Sequence, residues 1–149
     1  MPNRPPRLQV FQRYDIPMFF VTFNTHKRRS LLDNGGVHGV FTTYCQRGLS
    51  RGAGVGRYVL MPDHVHLFVR LSPDLSLAQW VRNLKRAISR SIVGPAPQWQ
   101  EGFFDHLLRG KDSYAQKWEY VRENPVRAGL VATYANWPYQ GEITHLPFD

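Results

Sequence analysis

The apolar residues of the chain fall into runs that are typical of four β-strands. Residues 17–25 read PMFFVTFNT, a β-branched and aromatic run that predicts a strand buried on at least one face. Residues 54–71 hold two apolar runs separated by Met61, Pro62 and Asp63. Since Pro and Asp are turn formers, these runs predict a β-hairpin. Residues 99–109, WQEGFFDHLLR, have the character of a fourth strand.

Helical spacing appears at three places between and after these strands. A first helix is predicted within residues 31–47, although several glycines weaken its beginning. A second begins after Ser76, a good N-cap, and ends before Gly94. Its apolar stripe consists of Leu77, Trp80, Val81, Leu84, Ile88 and Ile92. A third starts at Asp112 or Ser113 and runs to about Asn124, where Pro125 stops it.

The order of these elements predicts an α+β fold of the ferredoxin-like, split βαβ type. We expect an antiparallel sheet with helices on one face and an appended C-terminal helix, which carries Tyr120. With 149 residues and 42% hydrophobic content, the chain can form one domain with its own core. We therefore predict a single domain over residues 1–149, with loose tails at about 1–16 and 132–149.

Charge adds a partner class to this picture, because the chain is strongly basic. Its 19 Lys and Arg against 11 Asp and Glu leave a formal net charge of +8. Residues 1–99 contain 14 basic and 4 acidic side chains, whereas residues 100–149 contain 5 and 7. One surface of the molecule is therefore expected to bind a polyanion.

Cysteine content and hydropathy narrow the cellular setting. The single Cys45 excludes a disulfide framework and a zinc site built of cysteines alone, and it fits a reducing compartment. The sequence contains neither an apolar run of roughly 18 residues nor the pattern of a secretory signal. We expect a cytoplasmic protein without a membrane partner.

The second strand of the predicted hairpin begins with two histidines that alternate with Val65. Because strand side chains alternate, His64 and His66 point to the same face, where two imidazoles can bind one metal ion. The alternative is that they form a polar surface on the solvated side of the hairpin. The residues alone leave both interpretations open.

A metal site needs a further ligand, and the third helix offers one. Tyr120 and Asn124 lie one turn apart and would face the histidines if this helix packs across the sheet. An amide oxygen such as that of Asn124 suits a hard divalent ion, and a tyrosine oxygen can bond to a phosphorus atom that a metal polarises. The alternative is a half-buried aromatic and a polar helix terminus. Tyr114 is a weaker nucleophile candidate, since no Asn or Gln follows it one turn later.

Basic residues form two groups that suit nucleic acid. Along the second helix, four cations at spacings of three or four are expected to share one exposed face: Arg82, Lys85, Arg86 and Arg90. The second group follows the first strand: Lys27, Arg28 and Arg29. Both groups would contact phosphates in a salt-dependent manner, and the alternative is a merely solvated surface.

Three segments together resemble the REP-associated tyrosine transposases, which are relatives of the IS200-like, single-tyrosine transposases within the HUH nuclease superfamily. The segments are MPDHVHLFV at 61–69, WQEGFFDHLLR at 99–109 and YVRENPVRAGLV at 120–131. Each motif is weak alone, but their order and spacing are jointly specific. The likeness runs from about Phe19 to Val131.

The resemblance implies a metal-dependent transesterification on single-stranded DNA. It makes Tyr120 the nucleophile, which forms a 5′-phosphotyrosine and releases a 3′-hydroxyl. It makes His64, His66 and Asn124 the ligands of Mg²⁺ or Mn²⁺. It also implies that the DNA partner contains hairpins of REP-like palindromes and that the protein is bacterial and nucleoid-associated. A monomer would use its own tyrosine, and a homodimer would exchange tyrosines between subunits.

Two other functions compete with this interpretation. A non-catalytic module that binds hairpin or single-stranded DNA would keep the basic residues and tolerate Tyr120→Phe. A small nucleotide hydrolase of the histidine-triad kind would need a third histidine at position 68, where this chain has Phe68.

Overall fold

The structure is a computed structural model that describes residues 16–148. Its strands are β1 (Met18–Asn24), β2 (Ala53–Met61), β3 (His64–Leu71), β4 (Phe104–Leu108) and β5 (Gln140–Glu142). Its helices are α1 (Gly35–Gly48), α2 (Leu77–Ser89), α3 (Lys111–Arg122) and the short α4 (Asn124–Arg127).

The strands form one antiparallel sheet in the order β4-β1-β3-β2-β5. β3 lies between β1 and β2, and β1 lies between β3 and β4, which is the split βαβ arrangement. Pro62 and Asp63 form the turn between β2 and β3. The predicted α+β fold and its hairpin are therefore confirmed.

The boundaries of two elements differ from the prediction because local capping and pairing decide them. α1 begins at Gly35, since the Asn34 side chain accepts a hydrogen bond from the Val37 backbone N–H at 2.9 Å and caps the helix there. The fourth strand is shorter than predicted. Trp99 forms only an isolated bridge with Thr25, and five residues of the segment pair with β1.

The sheet has an apolar cluster on each face. On one face, α1 and α2 cover the sheet through residues such as Phe41, Leu84 and Ile88. On the opposite face, α3 packs through Val121 against a smaller cluster that contains Phe20, Phe68 and other residues of the sheet. The two imidazoles at the start of β3 belong to this second face, because positions 64, 66 and 68 alternate with the buried positions 65 and 67.

The C-terminal segment is packed, in contrast to the loose tail expected from about residue 132. β5 pairs with β2, and the buried Trp137 donates its indole N–H to the Leu60 carbonyl oxygen at 3.0 Å. Leu146 is also buried, and a Cβ on Gly56 would lie 2.9 Å from its Cδ1, so a larger residue at position 56 would displace the Leu146 side chain. The sequence of this segment shows no strand or helix periodicity, so its packing could not be predicted from it. The segment is ordered because it pairs with β2 at the edge of the sheet. The other expected tail lies outside the described residues except for the buried Ile16.

Two expectations about cellular setting can be compared with the described residues. Cys45 is buried in the core, and burial raises the pKa of its thiol above the usual range. Within residues 16–148, no helix is both long enough and apolar enough to cross a membrane.

Candidate functional site

His64 and His66 lie together at the start of β3. Their ring centres are 4.6 Å apart, with the ring planes nearly perpendicular at 81°. In the register of the sheet, His66 is opposite Thr22 of β1 and His64 is opposite Asn24. The alternation of the strand therefore brings the two imidazoles to one face, as their spacing predicts.

His66 is fixed and kept neutral by its surroundings. Its Nδ1 lies 2.7 Å from Thr22 Oγ1, and its ring stacks on Phe20 with centroids 5.3 Å apart. Burial, together with the nearby charges of His64, Lys117 and Arg127, lowers the pKa of His66 to about 3. The His66 ring is therefore neutral at pH 7, and one of its two nitrogens has a lone pair that can bind a metal ion.

His64 is held by a carboxylate on the preceding residue. Its Nδ1 lies 2.7 Å from Asp63 Oδ1, while Arg28 Nε donates to Asp63 Oδ2 at 2.9 Å. Burial lowers the pKa of His64, and Asp63 opposes that shift. Arg28 also has a guanidinium nitrogen 3.3 Å from His64 Nδ1. When Nδ1 carries a proton and donates it to Asp63, it cannot also accept a hydrogen bond from Arg28. The hydrogen bond that Arg28 forms here is therefore the one to Asp63.

The hydrogen bonds of both rings leave the same nitrogen for a metal. Each ring uses Nδ1, toward Thr22 in one case and Asp63 in the other, so Nε2 is the nitrogen that could bind a metal in each. In the part of the chain from 16 to 148, no group of three or more His, Cys, Asp or Glu is placed to hold a metal ion. A third protein ligand must therefore be of another type, such as an amide oxygen.

Backbone strain accompanies this site. Lys27 and Arg28 have φ values of 53° and 55°, in the left-handed region that non-glycine residues rarely adopt. Each such residue costs roughly 1 kcal/mol or more. The Thr25 backbone N–H bonds the Asp63 carbonyl oxygen at 2.9 Å, which ties this turn to the hairpin. The strained turn carries the Arg28 side chain to Asp63.

α3 crosses the same face of the sheet and carries Tyr120. The helix is anchored by Tyr114, whose ring is 4.8 Å from that of Phe68, and by the buried Val121. Lys117 Nζ lies 5.2 Å from the centre of the Phe20 ring, which itself stacks on His66. Tyr120, one turn later, has 64% of its surface exposed.

Asn124 and Tyr120 are joined by Arg127 at the end of α4. The Arg127 guanidinium lies 3.9 Å from the centre of the Tyr120 ring and donates to Asn124 Oδ1 at 2.7 Å. It also donates to the Tyr120 carbonyl oxygen. Arg127 therefore links the tyrosine with the amide, and its charge is one of several that, after burial, lower the pKa of His66.

Tyr114, the competing tyrosine, serves the core. Its ring packs between Phe68 and Phe148, with centroid separations of 4.8 and 5.7 Å. Burial raises the pKa of its hydroxyl, which makes it harder to ionise. Of the two tyrosines on α3, Tyr120 is therefore the one that a substrate can reach.

Two of the predicted phosphate contacts form hydrogen bonds within the fold instead. Lys85 is half-buried, donates to the carbonyl oxygens of Gln100 and Gly102 at 3.1 and 2.5 Å, and has its pKa lowered by burial. Arg29 donates to the Pro97 carbonyl oxygen at 2.6 Å. These two cations hold the loop before β4, whereas the remaining predicted phosphate contacts are exposed: Lys27, Arg28, Arg82, Arg86 and Arg90.

Sequence reasoning missed three residues of the site. Thr22 is identified only by the register that sets it opposite His66, and Lys117 only by the way α3 crosses the sheet. For Arg127 a signal existed, because it follows Asn124 by three residues and so lies within one helical turn of it.

Comparison with known proteins gives one family and several relatives. The family model described as "Transposase IS200 like" matches residues 17–124. A REP-associated tyrosine transposase of Escherichia coli is 26% identical over 136 residues, which cover 89% of this chain and 81% of that protein. A Haemophilus influenzae protein assigned to the same group is 30% identical over 94 residues, which cover 54% of this chain. This match spans about half the length of the Haemophilus protein, 53%.

A solved structure has the same fold. It is that of a REP-associated tyrosine transposase bound to a REP hairpin, with a TM-score of 0.71 and 23% identity. The match covers 94% of this chain and 82% of that one. At 23% identity, this likeness shows that the two proteins share a fold.

Proposed function

Because this chain belongs to the IS200-like transposase family, we propose that it cleaves and rejoins single-stranded DNA beside hairpins of repeated palindromes. One observation carries the proposal. Two neutral imidazoles with Nε2 left for a metal lie on the sheet face that α3 crosses with an exposed Tyr120. The REP hairpin in the solved relative supports a hairpin as the DNA partner here.

We assign His64, His66 and Asn124 as ligands of one divalent cation, Mg²⁺ or Mn²⁺. The donor set fits such an ion, because it combines two neutral imidazoles with an amide oxygen and contains no thiolate. Asn124 Oδ1 has two lone pairs, so it can accept from Arg127 and still bind a cation. When bound, the cation would polarise the scissile phosphate and offset its developing charge.

Tyr120 performs the covalent step. Its Oη attacks the phosphorus atom, so that an Oη–P bond forms while the bond from phosphorus to O3′ breaks. The phenolic proton passes to a base in solvent, and the departing 3′ oxygen takes up a proton as a hydroxyl. The 5′-phosphotyrosine conserves the energy of the phosphodiester bond, and a 3′-hydroxyl can reverse the step without ATP.

The tyrosine acts within its own chain. Arg127, which stacks on Tyr120, is close enough to His66 of the same chain to lower its pKa. This supports a monomer that completes its own site rather than a dimer that exchanges tyrosines.

A denaturing gel tests the function directly. Labelled hairpin DNA with randomised bases around its foot is incubated with Mn²⁺ and wild type, Tyr120→Phe, His64→Ala or Tyr114→Phe. The last variant is the matched control, since it removes a hydroxyl from the same helix. We expect a cleaved strand and a protein-linked label with wild type and Tyr114→Phe, and neither product with the other two.

The contrary result has a clear meaning. If all four proteins shift the DNA in a native gel and none cleaves any member of the pool, the protein is the non-catalytic binding module. If Tyr120→Phe retains the protein-linked label, the nucleophile is a different residue.

A further inference from the structure

A second surface of the molecule has the chemistry of a nucleic-acid site. Between α1 and α2, two cavities of about 430 and 560 Å³ share Tyr44, Arg47, Ala87 and Arg90 in their linings. We call this feature the interhelical groove. It lies on the sheet face opposite the His64–His66 pair, because α1 and α2 pack on the face to which Val65 and Leu67 point.

The interhelical groove is lined by arginine side chains. Arg47 of α1 faces it from one wall, and Arg86 and Arg90 face it from the other, with Arg51 beside them. Within residues 16–148, no Asp or Glu lines either cavity. Among the residues that the structure describes, the guanidinium groups of Arg47, Arg86 and Arg90 form no hydrogen bond or ion pair. In contrast, Lys85 and Arg29 donate hydrogen bonds to backbone carbonyl oxygens of the fold.

Several cations facing one another across a groove repel unless an anion lies between them. A chain of phosphates suits this arrangement better than a single small anion, because the arginines lie along a long groove. α1, which forms one wall, has 14 residues and is therefore about 21 Å long. The far end of the groove is lined by Gly35, Gly36 and Gly39, and the positions of a Cβ on Gly35 and Gly39 have no atom within 4 Å. A backbone can thus approach the helix closely there.

The shape of the groove favours one strand over two. Packed helices lie only about 8–10 Å apart, so a duplex would contact the rim of the groove and leave the cavities unfilled. Each cavity instead has the volume of a small-ligand pocket, which is about 300–1,000 Å³. Tyr44 is partly exposed between the arginines and offers a ring on which a base can stack.

We propose that the interhelical groove binds the backbone of a single-stranded DNA segment, with Arg47, Arg86 and Arg90 on its phosphates and Tyr44 against a base. The inference rests on the proposed function for the identity of the DNA, because that function supplies single strands beside a hairpin. The groove contributes affinity and leaves the chemical step to the opposite face.

Binding of labelled oligothymidylate tests the groove apart from cleavage. Fluorescence anisotropy at several salt concentrations compares wild type with Arg47→Gln/Arg90→Gln, which removes one charge from each wall. Arg109→Gln, the control, removes an exposed charge outside the groove. We expect the double variant to bind about tenfold more weakly, with a salt slope smaller by about 1.4, or about 0.7 for each lost phosphate contact. The control protein should bind like wild type, and melting temperatures verify folding.

Photocrosslinking locates the strand. Oligonucleotides that carry 5-iododeoxyuridine should crosslink to the peptide containing Tyr44 in wild type and in Arg109→Gln. The groove assignment is overturned if the crosslink maps elsewhere, if Arg109→Gln loses as much affinity as the double variant, or if a duplex probe binds as tightly as the single strand. Failure of the proposed function appears separately, as the absence of a protein-linked label on hairpin DNA while oligothymidylate binding persists.

Discussion

Arg127 stacks on the ring of Tyr120, with its guanidinium carbon 3.9 Å from the ring centre, while the same guanidinium donates to Asn124 Oδ1 at 2.7 Å. One arginine therefore positions both the proposed nucleophile and the proposed amide ligand. The contact is exposed, so packing alone does not hold it. Stacking on Tyr120 needs a planar cation, and bonding Asn124 at the same time needs several N–H donors in one plane. The ammonium group of lysine is not planar and has no such fork of donors.

Replacement of Arg127 should impair the covalent step more than DNA binding. We expect Arg127→Gln and Arg127→Lys to lower the rate of protein–DNA adduct formation at saturating DNA about tenfold, equivalent to ~1.4 kcal/mol of barrier. Arg122→Gln is the control, because Arg122 stacks on Tyr134 at 4.5 Å in the same kind of contact outside the site. Single-turnover rates on a gel measure the effect. Equal losses in the two glutamine variants would show that Arg127 has only a structural role.

The residues behind the histidines should control metal affinity. Asp63→Ala and Thr22→Val each remove the partner of an imidazole Nδ1, and such changes weaken metal binding about 10–100-fold. Calorimetric titration of the metal-free protein with Mn²⁺ measures the affinity without reference to cleavage. Asp105→Asn, at an exposed position of β4, should bind Mn²⁺ like wild type. Unchanged affinity in both test variants would argue against coordination through Nε2.

A mixing experiment distinguishes action within one chain from exchange between two. Tyr120→Phe keeps the histidine pair, and His64→Ala keeps the tyrosine. Because Arg127 stacks on Tyr120 and its charge acts on His66 of the same chain, we expect an equimolar mixture of these inactive variants to form no adduct. Recovery of adduct in the mixture, measured on the same denaturing gel, would establish that the tyrosine is supplied by a partner subunit.

The C-terminal segment should contribute substantially to stability. Trp137 is 7% exposed and its indole bonds the Leu60 carbonyl oxygen, so Trp137→Ala removes a large buried ring and a hydrogen bond. We expect the free energy of unfolding, measured by urea denaturation, to fall by about 3 kcal/mol or more. Val93→Ala, at a side chain that is 99% exposed, should change it by less than about 0.5 kcal/mol. A near-neutral Trp137→Ala would contradict the packing of this segment.

Mild acid should destabilise the fold partly through His38. Its Nε2 lies 2.7 Å from the Tyr58 hydroxyl, and burial lowers the pKa of His38 below its ordinary value. Burial also raises the pKa of Tyr58 to about 12, so Tyr58 is the donor and neutral His38 the acceptor. A histidine with a lowered folded pKa contributes stability above the unfolded pKa and loses it as the pH falls.

Thermal unfolding at about pH 7.5 and about pH 5.5 measures this effect, since the interval brackets the unfolded pKa of histidine. His38→Gln keeps an acceptor for Tyr58 but cannot be protonated. Wild type should lose more melting temperature between the two pH values than His38→Gln does. Equal losses would place the acid sensitivity in other groups.

Particular residues show how far the sequence reaches. The period of two in β3 is enough to bring His64 and His66 to one face, and the apolar stripe of α2 is enough to seat that helix on the sheet. The basic residues of α2 were harder to interpret. Lys85 and Arg86 are neighbours in the sequence, yet Lys85 holds the loop before β4 and Arg86 lines the interhelical groove.

The sequence by itself determined what depends on neighbours along the chain: the split βαβ order, the hairpin turn, the histidine pair and the spacing of Tyr120 and Asn124. Only the tertiary structure decided that Thr22 contacts His66, that Arg127 stacks on Tyr120 and that the C-terminal strand pairs with β2. The reason is physical. Periodicity fixes which side of its own element a residue occupies, whereas contacts between elements depend on register, crossing and charge that many separate residues set together.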